Sequence, residues 1–125
     1  MTMLVVDADQ AFRESVANLL LLCGVEKFEV VASAEEAKNK ISNTFFDFIL
    51  IDLFMPQMTG LQLAQEFQKR MPQTKIILVI DDKQPSMLNR VGEAKLNFPT
   101  ILKSFVSHTL PQLLSEESES MSRKN

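Results

Sequence analysis

The chain of 125 residues is 46% apolar and 23% charged, values of one soluble globular domain with room for a core. Its net charge of −3 and lack of a Lys/Arg cluster argue against a nucleic-acid surface, and no apolar run approaches the roughly 18 residues that cross a bilayer. A single cysteine, Cys23, excludes an internal disulfide, and a strand within two residues of Met1 leaves no room for a secretory signal, so a cytoplasmic location is expected.

Met3-Leu4-Val5-Val6 is an apolar run without polar alternation, the pattern of a strand buried on both faces, and it ends in Asp7-Ala8-Asp9. Asp9 stands where an N-cap would open the next helix, in which Phe12, Val16, Leu19, Leu20 and Cys23 recur at helical spacing. Gly24 stops that helix, and the company of Leu19 to Leu22 makes Cys23 read as a small core residue. Phe28 to Ala32 reads as a short strand. Ser33 and Glu36 have capping-box spacing at the start of a helix that runs to about Ile41.

A second apolar run, Phe48 to Ile51, lifts one carboxylate, Asp52, to its end, and turn punctuation follows at Pro56 and Gly60. A helix is expected from about Leu61 to Arg70, with Leu61, Ala64 and Phe67 inward, ended by Met71-Pro72. Lys75 to Ile80 is the third strongly apolar run and ends in Asp81-Asp82. A helix near Pro85 to Glu93 comes next, then a short strand, Thr100-Ile101-Leu102, with Lys103 directly behind it. Leu110, Leu113 and Leu114 mark a final helix, in which Pro111 is expected in or near the first turn. The polar residues 115–125 read as a disordered tail or linker, leaving 1–114 as the domain. Five β–α units in succession give an α/β fold: a parallel sheet with helices on both faces.

The sequence from Asp52 to Gly60, Asp-x-x-Met-Pro-x-Met-x-Gly behind a buried strand, resembles the receiver domain of two-component response regulators, the CheY-like superfamily. The resemblance implies a flavodoxin-like (βα)5 sheet in the order 2-1-3-4-5, in which the first and third strands meet at the switch point. It implies that Asp52 accepts a phosphoryl group from a histidine kinase or phosphotransfer protein and that Lys103 contacts that group. It implies Mg2+ on Asp7, Asp52 and the backbone carbonyl of Phe54, with Asp9 as a further candidate. The chemistry of those residue types agrees. Crowded carboxylates raise each other's pKa until a cation neutralises them, and Mg2+ takes one or two carboxylates plus phosphate oxygens. Phosphoryl transfer needs little beyond positioning and charge neutralisation, which a divalent ion and a lysine supply.

Several positions depart from the family's pattern. Ala8 stands where a second acid ligates the metal, so Mg2+ is expected to bind weakly. Ile80 replaces the hydroxyl at the end of the fourth strand, and Asp81 follows in place of a small residue, adding like charge beside the phosphoryl site. Thr100 replaces the aromatic switch residue, with Phe98 close by. Lys103 is followed by Ser104, not proline, and a cis bond there would cost about 3 kcal/mol. Gly92 lies farther from Lys103 than its counterpart does. The acceptor is spared and the relay is altered.

Two functions are therefore expected to compete. One is a phosphorylated switch whose final strand and flanking helices bind an output domain, a partner or a second copy. The other is a degenerate receiver that docks a partner without phosphorylation. An enzyme is not expected, because no Gly-rich phosphate loop follows the first strand and His108 reads as a surface residue.

Overall fold

In the computed structural model, residues 1–83 and 97–123 are described. Five strands form one sheet: β1 (Thr2–Val6), β2 (Lys27–Val31), β3 (Phe48–Asp52), β4 (Lys75–Ile80) and β5 (Thr100–Leu102). Their order is β2-β1-β3-β4-β5, and every neighbouring pair is parallel. Between them run α1 (Gln10–Leu22), α2 (Ala34–Ile41) and α3 (Gly60–Arg70); a 3-10 turn at Lys103–Phe105 leads into α4 (Val106–Arg123). The expected helix near Pro85 to Glu93, with Gly92, lies outside the described residues.

The unbroken apolar runs are explained by two cores, one on each side of the sheet. Leu4, Val6, Ile49 and Ile51 face one way, against Ala37 of α2 and Leu63, Ala64 and Phe67 of α3. Met3, Val5, Phe48 and Leu50 face the other way, against Phe12, Val16 and Leu20 of α1 and Val106, Leu110 and Leu114 of α4. Each fully buried Leu, Ile or Phe contributes roughly 1.5–3 kcal/mol. The register is therefore firmly set, since a one-residue slip would turn every side chain towards the wrong core.

Local devices fix where each element begins and ends. Asp9 caps α1 by accepting from the Ala11 N–H. Gly24, at φ 79°, ends it in a Schellman motif: the Gly24 and Val25 N–H groups donate to the Leu21 and Leu20 carbonyls. Thr59 and Gln62 form a reciprocal capping box on α3. At the second helix the box is incomplete, because Glu36 reaches back to the Ala32 N–H, one residue beyond the Ser33 cap.

Four expectations need correction. Cys23 is exposed, because it forms the carboxyl cap of α1 beyond the sheet while Leu20 fills the core position. Leu63 takes the fully buried place on α3 beside Ala64 and Phe67, while Leu61 is only partly buried against the same core. Pro111 lies inside α4 rather than at its start. The supposed tail is helical as far as Arg123: glutamates are good helix formers, and Glu117 pairs with Lys75 of β4 at 3.6 Å.

Candidate functional site at the carboxyl edge of the sheet

Strand ends bring the chemistry together. β1 stops one residue before Asp7, β3 ends on Asp52, and β5 stops one residue before Lys103. Because β1 and β3 are neighbours, Asp7 and Asp52 emerge side by side at the switch point of the sheet. Asp7 is 1% exposed and Asp52 7%. The Lys103 ammonium bridges them, 3.0 Å from Asp7 Oδ2, 3.3 Å from Asp7 Oδ1 and 3.8 Å from Asp52 Oδ2. It also lies 4.6 Å from the centre of the Phe12 ring, which adds a cation–π attraction.

Backbone donors orient both acids. Asp7 Oδ1 accepts the Asp9 N–H at 2.9 Å, and Asp52 Oδ1 accepts the Phe54 N–H at 3.3 Å. Arg13 reaches back from α1 to donate to the Asp7 carbonyl at 2.8 Å. Beneath Asp52 the packing is closest of all. A Cβ built on Gly60 would stand 2.1 Å from the Asp52 carbonyl oxygen, so only glycine lets α3 begin there. The Gly60 N–H donates to the Leu53 carbonyl at 2.7 Å, closing the loop under the acid.

Burial and the Asp7 charge push the Asp52 carboxyl up to about 7, although Lys103 and the Phe54 N–H oppose them. A cavity of about 350 Å3 opens over the acid, lined by Ala8, Asp9, Asp52, Phe54, Pro56, Asp81 and Lys103. Here an incoming group would meet the Asp52 carboxylate and the Lys103 ammonium, with Asp9 and Asp81 also lining the space.

Whether a divalent cation suits this donor set is decided by Asp7. Its Oδ2 is buried without a hydrogen bond, Lys103 standing near but out of alignment. A buried carboxylate oxygen without a hydrogen bond, beside a second acid and an open cavity, fits a hard cation. Among the described residues no three acidic, histidine or cysteine side chains cluster as metal ligands. Mg2+ needs no more than one or two carboxylates, because water and phosphate oxygens complete its shell.

The sequence singled out Asp7, Asp52 and Lys103, and these three converge. Asp9 reaches the cavity rim, with its carboxylate engaged as the α1 cap. Phe54 lines the cavity, and its N–H holds Asp52. Ile80 ends β4 buried in the core, Thr100 is exposed, and Phe98 is buried. No cis peptide bond occurs among the described residues, so the Lys103–Ser104 bond is trans. Phe12 and Arg13 carried no separate signal in the sequence. Phe12 was legible only as a core residue, and the reach of Arg13 depends on the folded path of β1.

Together the doubly wound sheet and the cleft at its switch point, floored by Asp52, define a flavodoxin-like domain. The chain belongs to the response regulator receiver domain family, whose pattern matches residues 3–115. It is 28% identical over 122 residues to the autoinducer 1 sensor kinase/phosphatase LuxN of Vibrio campbellii, a match covering 95% of this chain and 14% of that protein. The chain thus spans a small part of that relative's length. The CheY-like receiver domain protein of Methanospirillum hungatei is 27% identical with a TM-score of 0.78, over 99% of this chain and 98% of the other. TrrA of Thermotoga maritima, solved in complex with Mg2+-BeF, is 27% identical with a TM-score of 0.74, over 93% and 98%. The chain is thus a receiver domain of the two-component type, with the strand order that the resemblance implied. No helix among the described residues is long and apolar enough to cross a membrane.

Proposed function

We propose that Asp52 is the phospho-acceptor of this receiver domain and that Lys103 neutralises the incoming phosphoryl oxygens. The reading rests above all on Lys103, held by Asp7 at 3.0 Å with its ammonium 3.8 Å from Asp52 on the floor of an open cavity. In the reaction a carboxylate oxygen of Asp52 attacks phosphorus of a phosphohistidine on a sensor kinase or phosphotransfer protein. The O–P bond forms as the P–N bond breaks, and the departing imidazole takes a proton from solvent. Asp7 and Asp52, with the Phe54 carbonyl, are the residues that would hold Mg2+. Bound there, the cation would offset the charge on the transferring oxygens.

Two features of this chain shape the proposal. Ala8 lines the cavity without offering a ligand, so cation affinity is weak. Asp81 lines it with a further negative charge, which disfavours the phosphorylated form. The domain acts as a cytoplasmic switch rather than an enzyme. Its final strand and last helix carry the surface for an output domain, a partner or a second copy.

The test is intact mass after incubation with acetyl phosphate, with and without Mg2+, using Asp52→Asn as control. One added phosphoryl group that depends on Asp52 and Mg2+ is expected. No adduct under conditions that label an ordinary receiver would instead favour the phosphorylation-independent docking module.

A further inference from the structure

We propose that Asp82 is a positioning residue for Lys103: its carboxylate caps the helical run that starts at Lys103 and thereby holds the ammonium at the acceptor. The inference rests on the reading of Asp52 as acceptor.

The first N–H groups of a helix have no partner within it and need one from elsewhere. The run from Lys103 through α4 begins without a cap of its own, since Leu102 precedes it in extended conformation with no side-chain hydrogen bond. The missing acceptor arrives from another strand end. Asp82, just beyond β4, accepts the Ser104 N–H at 3.1 Å on Oδ1 and the Ser104 hydroxyl on Oδ2. A carboxylate at this end of a helix is also favoured by the helix dipole. Both hydrogen bonds from Ser104 hold the Asp82 carboxyl below the usual carboxylate range.

The clasp bears on Lys103 through covalent connectivity. The clasped N–H belongs to the trans peptide that joins Lys103 to Ser104, so fixing it fixes the backbone from which the lysine stem departs. A lysine is a flexible point charge whose place depends on what holds its base. Asp82 does not itself line the acceptor cavity, and its side-chain contacts run to Ser104, next to Lys103. A proline at position 104 would have no N–H to give, and the serine supplies two donors to one carboxylate.

The experiment compares labelling rates by acetyl phosphate with Mg2+ in the parent chain and four variants: Asp82→Ala, Asp82→Asn, Lys103→Ala and the double variant Asp82→Ala/Lys103→Ala. Asp82→Ala is expected to slow labelling roughly five- to tenfold, in line with the cost of misplacing a catalytic group by less than 1 Å. Asp82→Asn keeps an acceptor for the Ser104 N–H and restores most of the rate. In the Lys103→Ala background, Asp82→Ala has no further effect, whereas a general loss of stability would slow both backgrounds alike. Labelling of Asp82→Ala at the parent rate, or equal slowing in both backgrounds, would overturn the proposal. If the parent takes no phosphoryl group, the acceptor reading fails and the clasp is read directly from the 15Nζ NMR signal of Lys103. Loss of that signal in Asp82→Ala with retention in Asp82→Asn supports the clasp, and an unchanged signal refutes it.

Discussion

Asp52→Asn should make the domain more stable, and the gain should depend on pH. Folding lifts the Asp52 carboxyl from 3.8 to about 7, first through burial and then through the Asp7 charge. Between those two values the folded state holds a proton that the unfolded chain releases. The stability this proton confers is complete below about pH 4 and is lost progressively as the pH rises through about 7. At pH 8 the parent must keep an ionised carboxylate where the fold favours a neutral group. The gap between 3.8 and about 7 corresponds to a ceiling of about 4 kcal/mol. Asparagine is neutral throughout and keeps an oxygen for the Phe54 N–H. The variant should therefore match the parent near pH 4 and exceed it at pH 8, with a Tm higher by about 5–15 °C. Urea unfolding at both pH values reads the difference directly. An equal gap at pH 4 and pH 8, or a less stable variant at pH 8, would refute the electrostatic account of this site.

Three further outcomes follow from the same geometry. Mg2+ at a hundred times its dissociation constant should stabilise the parent at pH 8 by about 2.7 kcal/mol and leave Asp52→Asn almost unchanged, as a thermal shift titration would show. Lys103→Ala removes the cation that opposes the rise of the Asp52 carboxyl, so that group should titrate above about 7 in 13C NMR. It also leaves Asp7 buried without its partner, at a cost of up to about 3 kcal/mol at neutral pH by urea unfolding. Gly60→Ala drives a methyl group into the Asp52 carbonyl oxygen and should cost about 3 kcal/mol while slowing labelling; a variant with parental Tm and rate would contradict the close packing.

Much of the fold was legible because three strands are buried on both faces and therefore lack polar alternation. The ends of those runs also named the acids, since a lone carboxylate after an apolar strand has only one edge of the sheet to go to. Lys103 was legible by the same logic. What the sequence hid were contacts between segments far apart in the chain. Arg13 and Phe12 support Asp7 and Lys103 through side chains whose reach is set by α1 packing. Ser104 read as a lost proline, because its N–H gains meaning only when Asp82, 22 residues earlier, stands beside it. Cys23 was misread because apolar neighbours in sequence do not specify which side of a helix end faces the core. The Ser/Glu composition after Leu114 suggested disorder, and helix propensity together with the Lys75–Glu117 pair prevailed.

The length of α4 has a mechanical consequence. Its 18 residues make a rod of about 27 Å, half of it beyond Leu114. A rod transmits torque, where a flexible tether would transmit only distance. Anything joined to its carboxyl end inherits a fixed angular phase relative to Asp52. Inserting one residue after Leu114 would turn that attachment by about 100°, and inserting seven would return it close to its starting direction.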